Sequence, residues 1–212
     1  MRDHGWSGPL EWAVAGRALP SETESGDGWA VAEQFDADGR GTTLFAVIDG
    51  LGHGTEAAAA TRAAVAVLRG RAGQSPQSLL RRCHQTLSQT RGAAITLATI
   101  EHPQGLMWWL GVGNVAASLV RSGPAGSAVH AVAMLRGGVV GQQLPDPLQP
   151  LSATMQRGDL LLIGTDGLAP GFGESSRPAG PVTDIAEDLL TRCALSTDDA
   201  LVLAARYHGA PA

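Results

Sequence analysis

The sequence predicts an α+β fold in which two antiparallel β-sheets pack face to face and helices cover their outer surfaces. Three observations lead to this prediction. Strand-like segments follow one another as antiparallel meanders in both halves of the chain. Two helical segments come in succession between them, which argues against a repeating βαβ pattern. No repeat, linker or low-complexity tract divides the 212 residues, so we expect one domain over 1–212 with an ordered core of about 8–207.

The first half of the chain contains a predicted hairpin. An initial strand is expected at residues 10–18, and a second strand at 29–35. Turn-forming residues at 36–41 lead into a third strand at 44–48, whose unbroken apolar run is typical of a buried strand. The second and third strands should therefore pair, and the acidic residues between them are interpreted as turn residues.

Three helices are predicted. The first begins near Thr55, which is a suitable N-cap residue, and continues to about Arg69. Ser75 followed by Pro76 is a typical start of the second helix, with serine as N-cap and proline at the first helical position. Apolar residues at helical spacing over 182–193 indicate the third.

Most of the remaining chain is predicted to form strands. Residues 112–115 (VGNV) are interpreted as a tight hairpin turn between two of them. The predicted strands lie at 93–101, 105–112, 115–121, 128–134, 159–165 and 200–206.

Composition excludes several classes of function. The net charge is −5, all 15 basic residues are arginine, and no basic patch stands out, so nucleic acid is not an expected partner. There is no apolar segment of membrane-spanning length and no signal-peptide core, which favours a cytoplasmic protein without a membrane partner. Cys83 and Cys193 lack metal-ligand spacing and are predicted to be inert core thiols. The sequence leaves the oligomeric state open.

Aspartates mark the ends of four predicted strands. If these ends converge, the carboxylates cannot all stay ionised without a counter-charge, and no lysine or adjoining arginine supplies one. All-oxygen ligation favours Mg²⁺ or Mn²⁺ over zinc. Asp-Gly is also a common turn, so spacing alone leaves both interpretations open. The four sites are Asp27-Gly28, Asp49-Gly50, Asp166-Gly167 and Asp198-Asp199.

These motifs resemble those of a known family. Residues 49–54 (DGLGHG) are similar to the D-G-x-G-H-G signature of metal-dependent Ser/Thr phosphatases of the PPM type (type 2C), in their bacterial SpoIIE/RsbX-like branch. Residues 25–27 (SGD) resemble the first acidic motif of that family, 164–168 (GTDGL) its (S/T)-D-G motif, and 198–200 (DDA) its closing motif. All four occur in the order of the family and span nearly the whole chain.

The resemblance implies a four-layer αββα sandwich, with two central antiparallel sheets flanked by helix pairs, and a centre for two Mn²⁺ or Mg²⁺ ions. Asp49 would bridge the ions, the carbonyl of Gly50 would bind one of them, and Asp199 would lie beside the last ligand. The other implied ligands are Asp27, Asp166 and Asp198.

The implied reaction is hydrolysis of phosphoserine or phosphothreonine by a water that bridges the metal ions, without a protein nucleophile. His53 would protonate the leaving oxygen, although its position alone favours a loop residue that donates to the backbone over a metal ligand or an acid. The implied substrate is a phosphorylated regulatory protein of the STAS (anti-anti-sigma) or stressosome type, in stress-response control of sigma factors.

Two alternatives remain at this point. Residues 111–116 (GVGNVA) fit a dinucleotide-binding fingerprint, but no acidic residue follows at the required distance and the next segment is strand-like. The second alternative is a catalytically weak or inactive regulatory domain with the same fold. Retention of all the core aspartates argues against it, because degenerate relatives usually lose ligands.

Overall fold

Short antiparallel strands dominate the computed structural model, which describes residues 1–123, 126–174 and 179–209. The Gly-, Ser- and Pro-rich composition of residues 170–181 predicts a loop that contains residues 175–178, which lie outside this description, as do residues 124–125 and 210–212. The helices are α1 (Thr55–Arg69), α2 (Pro76–Leu87) and α3 (Val182–Cys193). The strands are β1 (Arg2–Ser7), β2 (Leu10–Arg17), β3 (Asp27–Phe35), β4 (Gly41–Gly50), β5 (Ala93–Glu101), β6 (Leu106–Val112), β7 (Ala116–Gly123), β8 (Gly126–Val132), β9 (Leu135–Arg136), β10 (Leu151–Thr154), β11 (Leu160–Gly164) and β12 (Ala200–Tyr207).

The strands form two sheets, as predicted. Sheet A has the order β1-β2-β12-β11-β7-β8, and sheet B has the order β10-β6-β5-β4-β3 with β9 added beside β6. One apolar core lies between the sheets, a second lies between sheet B and α1 with α2, and a third lies between sheet A and α3. The layers are therefore αββα. In the part of the chain that the structure describes, α3 alone covers sheet A, where a helix pair was expected.

Strand β4 runs through the middle of this arrangement. Phe45 and Val47 face the core between the sheets, whereas Leu44, Ala46 and Ile48 face α1 and α2. Because alternate side chains point to opposite sides of a strand, burial on both sides requires an unbroken apolar run. That requirement explains the sequence signal from which the central strand was predicted.

The predicted β3–β4 hairpin is confirmed, with register from Asp27 opposite Asp49 to Phe35 opposite Gly41. The turn aspartate Asp36 accepts hydrogen bonds through Oδ1 from the backbone N–H groups of residues 38 and 40 at 2.9 and 2.8 Å, so it organises a turn. The N-cap prediction for α2 is also confirmed, because Ser75 Oγ accepts from Ser78 N at 3.3 Å.

Two local predictions were wrong. Residues 112–115 do not form a hairpin, because β6 belongs to sheet B and β7 to sheet A, so the chain crosses between the sheets there. This crossing leads into a strand rather than a helix, which also removes the dinucleotide-binding alternative. The N-cap of α1 is Gly54, at φ 77°, rather than Thr55. Glycine tolerates this left-handed backbone, and the tight turn after β4 requires it.

Three strands were not predicted. β1 is mostly exposed and shows no alternation of apolar and polar residues, while β9 and β10 are short. The two cysteines are free and buried, as expected of core thiols. Of the helices within the described residues, none combines the length and the apolar character needed to cross a bilayer.

Candidate metal centre and active site

Two of the predicted aspartates face each other at one end of sheet B. Asp27 opens β3 and Asp49 stands at the end of β4, and the antiparallel register makes them direct partners. Only 5% of Asp27 is exposed. The hairpin thus fixes two carboxylates side by side in a place where neither can be fully hydrated, which is costly for the ionised forms.

The other predicted aspartates arrive from sheet A. Asp166 follows the end of β11, and Asp198 precedes the start of β12, its antiparallel neighbour. Thr165 connects this end to sheet B: its Oγ1 donates to Asp27 Oδ2 at 2.8 Å and accepts from the backbone N–H of Leu201 at 3.0 Å. One hydroxyl therefore ties the two sheets together at the acidic ends of their strands.

The acidic side chains act strongly on one another. Burial, the charges of Asp166 and Asp198 and a hydrogen bond with the Asp166 carboxyl raise the pKa of Asp49 from 3.8 to about 8. Burial and then the charge of Asp49 raise the pKa of Asp27 well above its usual value, against the hydrogen bond from Thr165. The pKa of Asp198 is also raised, mainly by burial, with contributions from Asp166 and Asp199. The structure therefore brings all five predicted aspartates into one cluster.

Asp199 has a different environment from the others. Its Oδ1 accepts from the backbone N–H of Leu19 at 2.7 Å, and its Oδ2 accepts from that of Gly26 at 2.6 Å. It is 3% exposed. With both oxygens engaged by backbone donors, Asp199 holds the segment before β3 in place, and so positions Asp27.

Two glycines allow the backbones to approach closely at the centre. A Cβ atom on Gly167 would lie 1.7 Å from the carbonyl oxygen of Asp199, so the turn after β11 packs directly on the segment before β12. A Cβ atom on Gly50 would lie 2.3 Å from the carbonyl oxygen of Ala57 in α1. The glycines that follow Asp49 and Asp166 are therefore steric requirements of this packing.

His53 lies at the exposed edge of the cluster. Its Nδ1 is 2.6 Å from Glu22 Oε1, and 60% of its side chain is accessible. Its charge lowers the pKa of Asp198, although this is the smallest of the contributions to that group. The predicted catalytic histidine is thus close to the acidic cluster and is oriented by a carboxylate.

Sequence reasoning missed three residues of this site. Asn114 donates through Nδ2 to Asp166 Oδ2 at 2.6 Å, Thr165 binds Asp27, and Glu22 binds His53. Asn114 lies in the segment where the chain crosses between the sheets, which is how it reaches Asp166. A polar residue directly after a glycine at the end of an apolar strand was its one sequence signal.

The donor set fits divalent cations. It consists of carboxylate and carbonyl oxygens, the ligands that Mg²⁺ and Mn²⁺ prefer. The groups that raise the pKa of Asp49 are all aspartates, so a cation would relieve their mutual repulsion. Within the described residues, no three His, Cys, Asp or Glu side chains already surround one point as ligands of a single ion. Ion binding would thus require rotation of carboxylates that now bind one another, Asn114 and Thr165.

This fold, with paired sheets and aspartates at their strand ends, is that of the PPM-type phosphatases. RsbX in complex with magnesium has the same fold, with a TM-score of 0.78 and 24% identity over 97% of this chain and 99% of that one. A chain from a structure of the bacterial stressosome, a system adapted to control secondary messenger signalling, gives a TM-score of 0.79 and 27% identity over 93% and 99% of the two chains.

The family profile of stage II sporulation protein E (SpoIIE) matches residues 39–208, and this chain belongs to that family. It is therefore a phosphatase of the PPM type. The phosphoserine phosphatase RsbX of Bacillus subtilis (strain 168) is 27% identical over 157 residues, which cover 74% of this chain and 76% of that protein.

Proposed function

We propose that this protein is a metal-dependent serine/threonine phosphatase that removes phosphate from a bacterial regulatory protein. The observation on which this rests is the cluster of five aspartates drawn from both sheets, in which burial and like charges raise the pKa of Asp49 to about 8. Such a cluster is stable in its ionised form only with a cation. Membership of the SpoIIE family and the likeness to the phosphoserine phosphatase RsbX support hydrolysis of a phosphate ester at that cation.

We assign the ion ligands from the positions of the side chains. Asp49 lies between Asp27 and Asp166, with one neighbour in each sheet, which suits a group that bridges two ions. The carbonyl of Gly50 adds a further oxygen. Asp198 completes the set, and Asp199 supports it through the backbone. Mn²⁺ and Mg²⁺ are both compatible with these donors.

Two divalent ions bound there would activate water and neutralise the charge of the phosphoryl oxygens. The side chains of the protein would orient the metal-binding carboxylates and supply a proton to the leaving group. Asn114 holds one oxygen of Asp166, and Thr165 holds one oxygen of Asp27, so each leaves the other oxygen available. His53, hydrogen-bonded to Glu22, would give a proton to the leaving serine or threonine oxygen.

The substrate assignment is a phosphorylated STAS-domain or stressosome protein in the cytoplasm. Its support is the likeness to RsbX, a phosphoserine phosphatase, and to a chain from a stressosome structure. The free buried thiols of Cys83 and Cys193 are typical of a reducing compartment. If generic phosphopeptides are hydrolysed but phosphorylated STAS proteins are not, the substrate assignment is wrong while the phosphatase assignment stands.

The central experiment measures phosphate release from p-nitrophenyl phosphate and from a phosphoprotein panel with Mn²⁺, Mg²⁺ or chelator. We expect activity with a metal and none with chelator. Asp49→Asn should abolish Mn²⁺-dependent release and leave the circular dichroism spectrum unchanged. Asp38→Asn, in the exposed β3–β4 turn, is the matched control and should behave as wild type. Retained activity in Asp49→Asn would contradict the proposed role of Asp49 as the ligand that bridges the two ions.

The role of His53 can be tested with two leaving groups. His53→Gln should slow hydrolysis of a phosphoserine peptide by about a hundredfold, since general acids contribute on that scale. It should slow p-nitrophenyl phosphate hydrolysis much less, because p-nitrophenolate leaves without a proton. An equal loss for both substrates would assign His53 to another role.

The alternative of an inactive regulatory domain is not favoured. All five aspartates are present and meet at one place, and the similar curated protein is an enzyme. The same assay decides the matter, because an inactive domain would release no phosphate with either metal.

A further inference from the structure

A groove begins at the acidic cluster and runs away from it along the edge of sheet B. It has a volume of about 410 Å³ and lies between α1 and β3, with Asp27 at one end and Arg62 and Arg69 along the helix side. A second depression of about 290 Å³ lies between β3 and β1 and shares Trp29 and Arg69 with the first. The two depressions therefore flank the same stretch of β3.

β3 is a free edge of sheet B. Among the described residues it pairs only with β4, so its other side has no strand partner; Asp27, Gly28 and Ala30 are buried, and the strand becomes more exposed toward Phe35. A strand edge without a partner is a template for an extended segment from another chain, whose main chain would add to the sheet. The edge starts at Asp27, so a segment bound there would lead directly into the acidic cluster.

The walls beside this edge combine three tryptophans with the two arginines of α1, and the second depression also contains Asp3 and Glu33. Trp12 and Trp29 are half-buried, and Trp6 is 62% exposed and packs on the ring of His208, with 4.9 Å between ring centroids. Aromatic residues and arginine are the residue types enriched in protein interfaces. These tryptophans are not a scattered surface feature, because all three line the second depression.

The two arginines of the groove have a spacing that an extended chain can match. Arg62 and Arg69 are seven residues apart in α1, which is about 10 Å along the helix axis. An extended segment covers that distance in about three residues. Arg62 pairs with Glu24 at 3.0 Å, but both side chains are largely exposed, so an incoming carboxylate can replace Glu24 at little cost. Arg69 has no hydrogen-bond or ion-pair partner among the described residues.

We infer that this groove, defined by α1 residues 58–69 and the outer edge of β3, binds the polypeptide of the substrate protein next to its phosphorylated residue. The bound segment is extended and carries acidic side chains about three residues apart, which contact Arg62 and Arg69. This inference rests on the proposed phosphatase function and specifies the chemistry of its substrate. It makes the groove a determinant of specificity, separate from the residues that hold the metal ions.

The test compares phosphoserine peptides of equal length whose flanking residues are glutamate, glutamine or lysine. Wild-type protein should show a kcat/KM about tenfold higher for the glutamate peptides than for the glutamine ones, because charge-assisted contacts are formed. Arg69→Glu should lose this preference and favour the lysine peptides. An arginine at a helix C-terminus also stabilises the helix through its interaction with the helix dipole. That stabilisation does not depend on the charge of the peptide.

Arg81→Glu, the same charge change on the exposed surface of α2, is the matched control and should keep the wild-type preference. Arg69→Gln, a milder change, should reduce the preference without reversing it, and serves if Arg69→Glu folds poorly. Equal kcat/KM for all peptides in wild type, or an unchanged preference in both Arg69 variants, would overturn the inference. Hydrolysis of p-nitrophenyl phosphate by wild type keeps the two proposals apart, since its absence would instead reject the phosphatase function.

Discussion

The two ends of β11 each carry an aspartate, and the protein treats them in opposite ways. Asp159, just before the strand, is 1% exposed and receives the guanidinium of Arg121, with Nη2 to Oδ2 at 2.7 Å and Nε to Oδ1 at 3.0 Å. The backbone N–H of Gln156 donates a further hydrogen bond to Asp159 Oδ2 at 2.8 Å. Asp166, just after the strand, faces Asp49 and accepts a hydrogen bond from the neutral side-chain amide of Asn114.

This contrast separates a structural carboxylate from a functional one. Where the fold needs a buried aspartate for its own stability, the sequence supplies an arginine at fork geometry, and the pKa of that arginine rises in response. At the other end of the strand the neighbouring charges are carboxylates, so the balancing charge has to come from outside the chain.

The largest expected effect separates the two aspartates by activity. Asp166→Asn should lower kcat/KM for p-nitrophenyl phosphate with Mn²⁺ by about a thousandfold, because it removes a proposed ligand of the reacting centre. Asp159→Asn should keep metal-dependent activity in its folded fraction. The assay is run over a range of Mn²⁺ concentrations, so that weaker metal binding is distinguished from slower turnover. Similar losses in the two variants would refute the contrast.

Substitutions at the Asp159 end of β11 should lower the stability of the protein rather than its activity. Arg121→Ala leaves the Asp159 carboxylate buried without its partner and should lower the free energy of unfolding by about 3 kcal/mol. Arg81→Ala, an exposed arginine on α2, should change it by less than about 0.5 kcal/mol. Urea unfolding in the presence of chelator measures both. A loss in Arg121→Ala no greater than in the control would mean that the pair contributes little.

The acidic strand ends were accessible to sequence reasoning because of a local conflict. The apolar runs of β4 and β11 predict burial, and each ends in a carboxylate that burial makes costly. Spacing could not decide whether those ends meet, since convergence depends on how the sheets pack. The order of the four motifs, matched to a known family, supplied that information, and the register of Asp27 with Asp49 agrees with it.

The sequence mostly failed to predict which sheet each strand joins. Alternation reports the two faces of a strand, but not its neighbours, so the segment before Asn114 was interpreted as a hairpin although it crosses between sheets. The contact of Asn114 with Asp166 was lost with that error. β1 was missed for another reason: it is held by pairing with β2 and buries few side chains, so it has no apolar pattern.

Asn114 allows a subtler test of the functional end of β11. Asn114→Ala removes the hydrogen bond to Asp166 and should weaken Mn²⁺ binding by about tenfold, as is usual when a group that orients a ligand is lost. The kcat at saturating Mn²⁺ should fall much less, because the ligands themselves remain. The Mn²⁺ dependence of phosphate release gives both quantities. A lower kcat with unchanged metal dependence would place Asn114 in contact with substrate instead.

The last prediction concerns pH and the metal-free protein. The pKa of Asp49 is about 8 in the folded state against 3.8 ordinarily, so between those values the folded protein keeps a proton that the unfolded chain has released. The free energy of unfolding should therefore fall as pH rises from about 4 to 8. Saturating Mn²⁺ should flatten this slope, because a cation stabilises the ionised cluster. Asp49→Asn should reduce the slope in chelator, and Asp159→Asn should leave it as in wild type. Thermal unfolding of the metal-free protein across this pH range measures the effect. Greater stability toward pH 8 would contradict an acidic cluster that lacks a balancing positive charge.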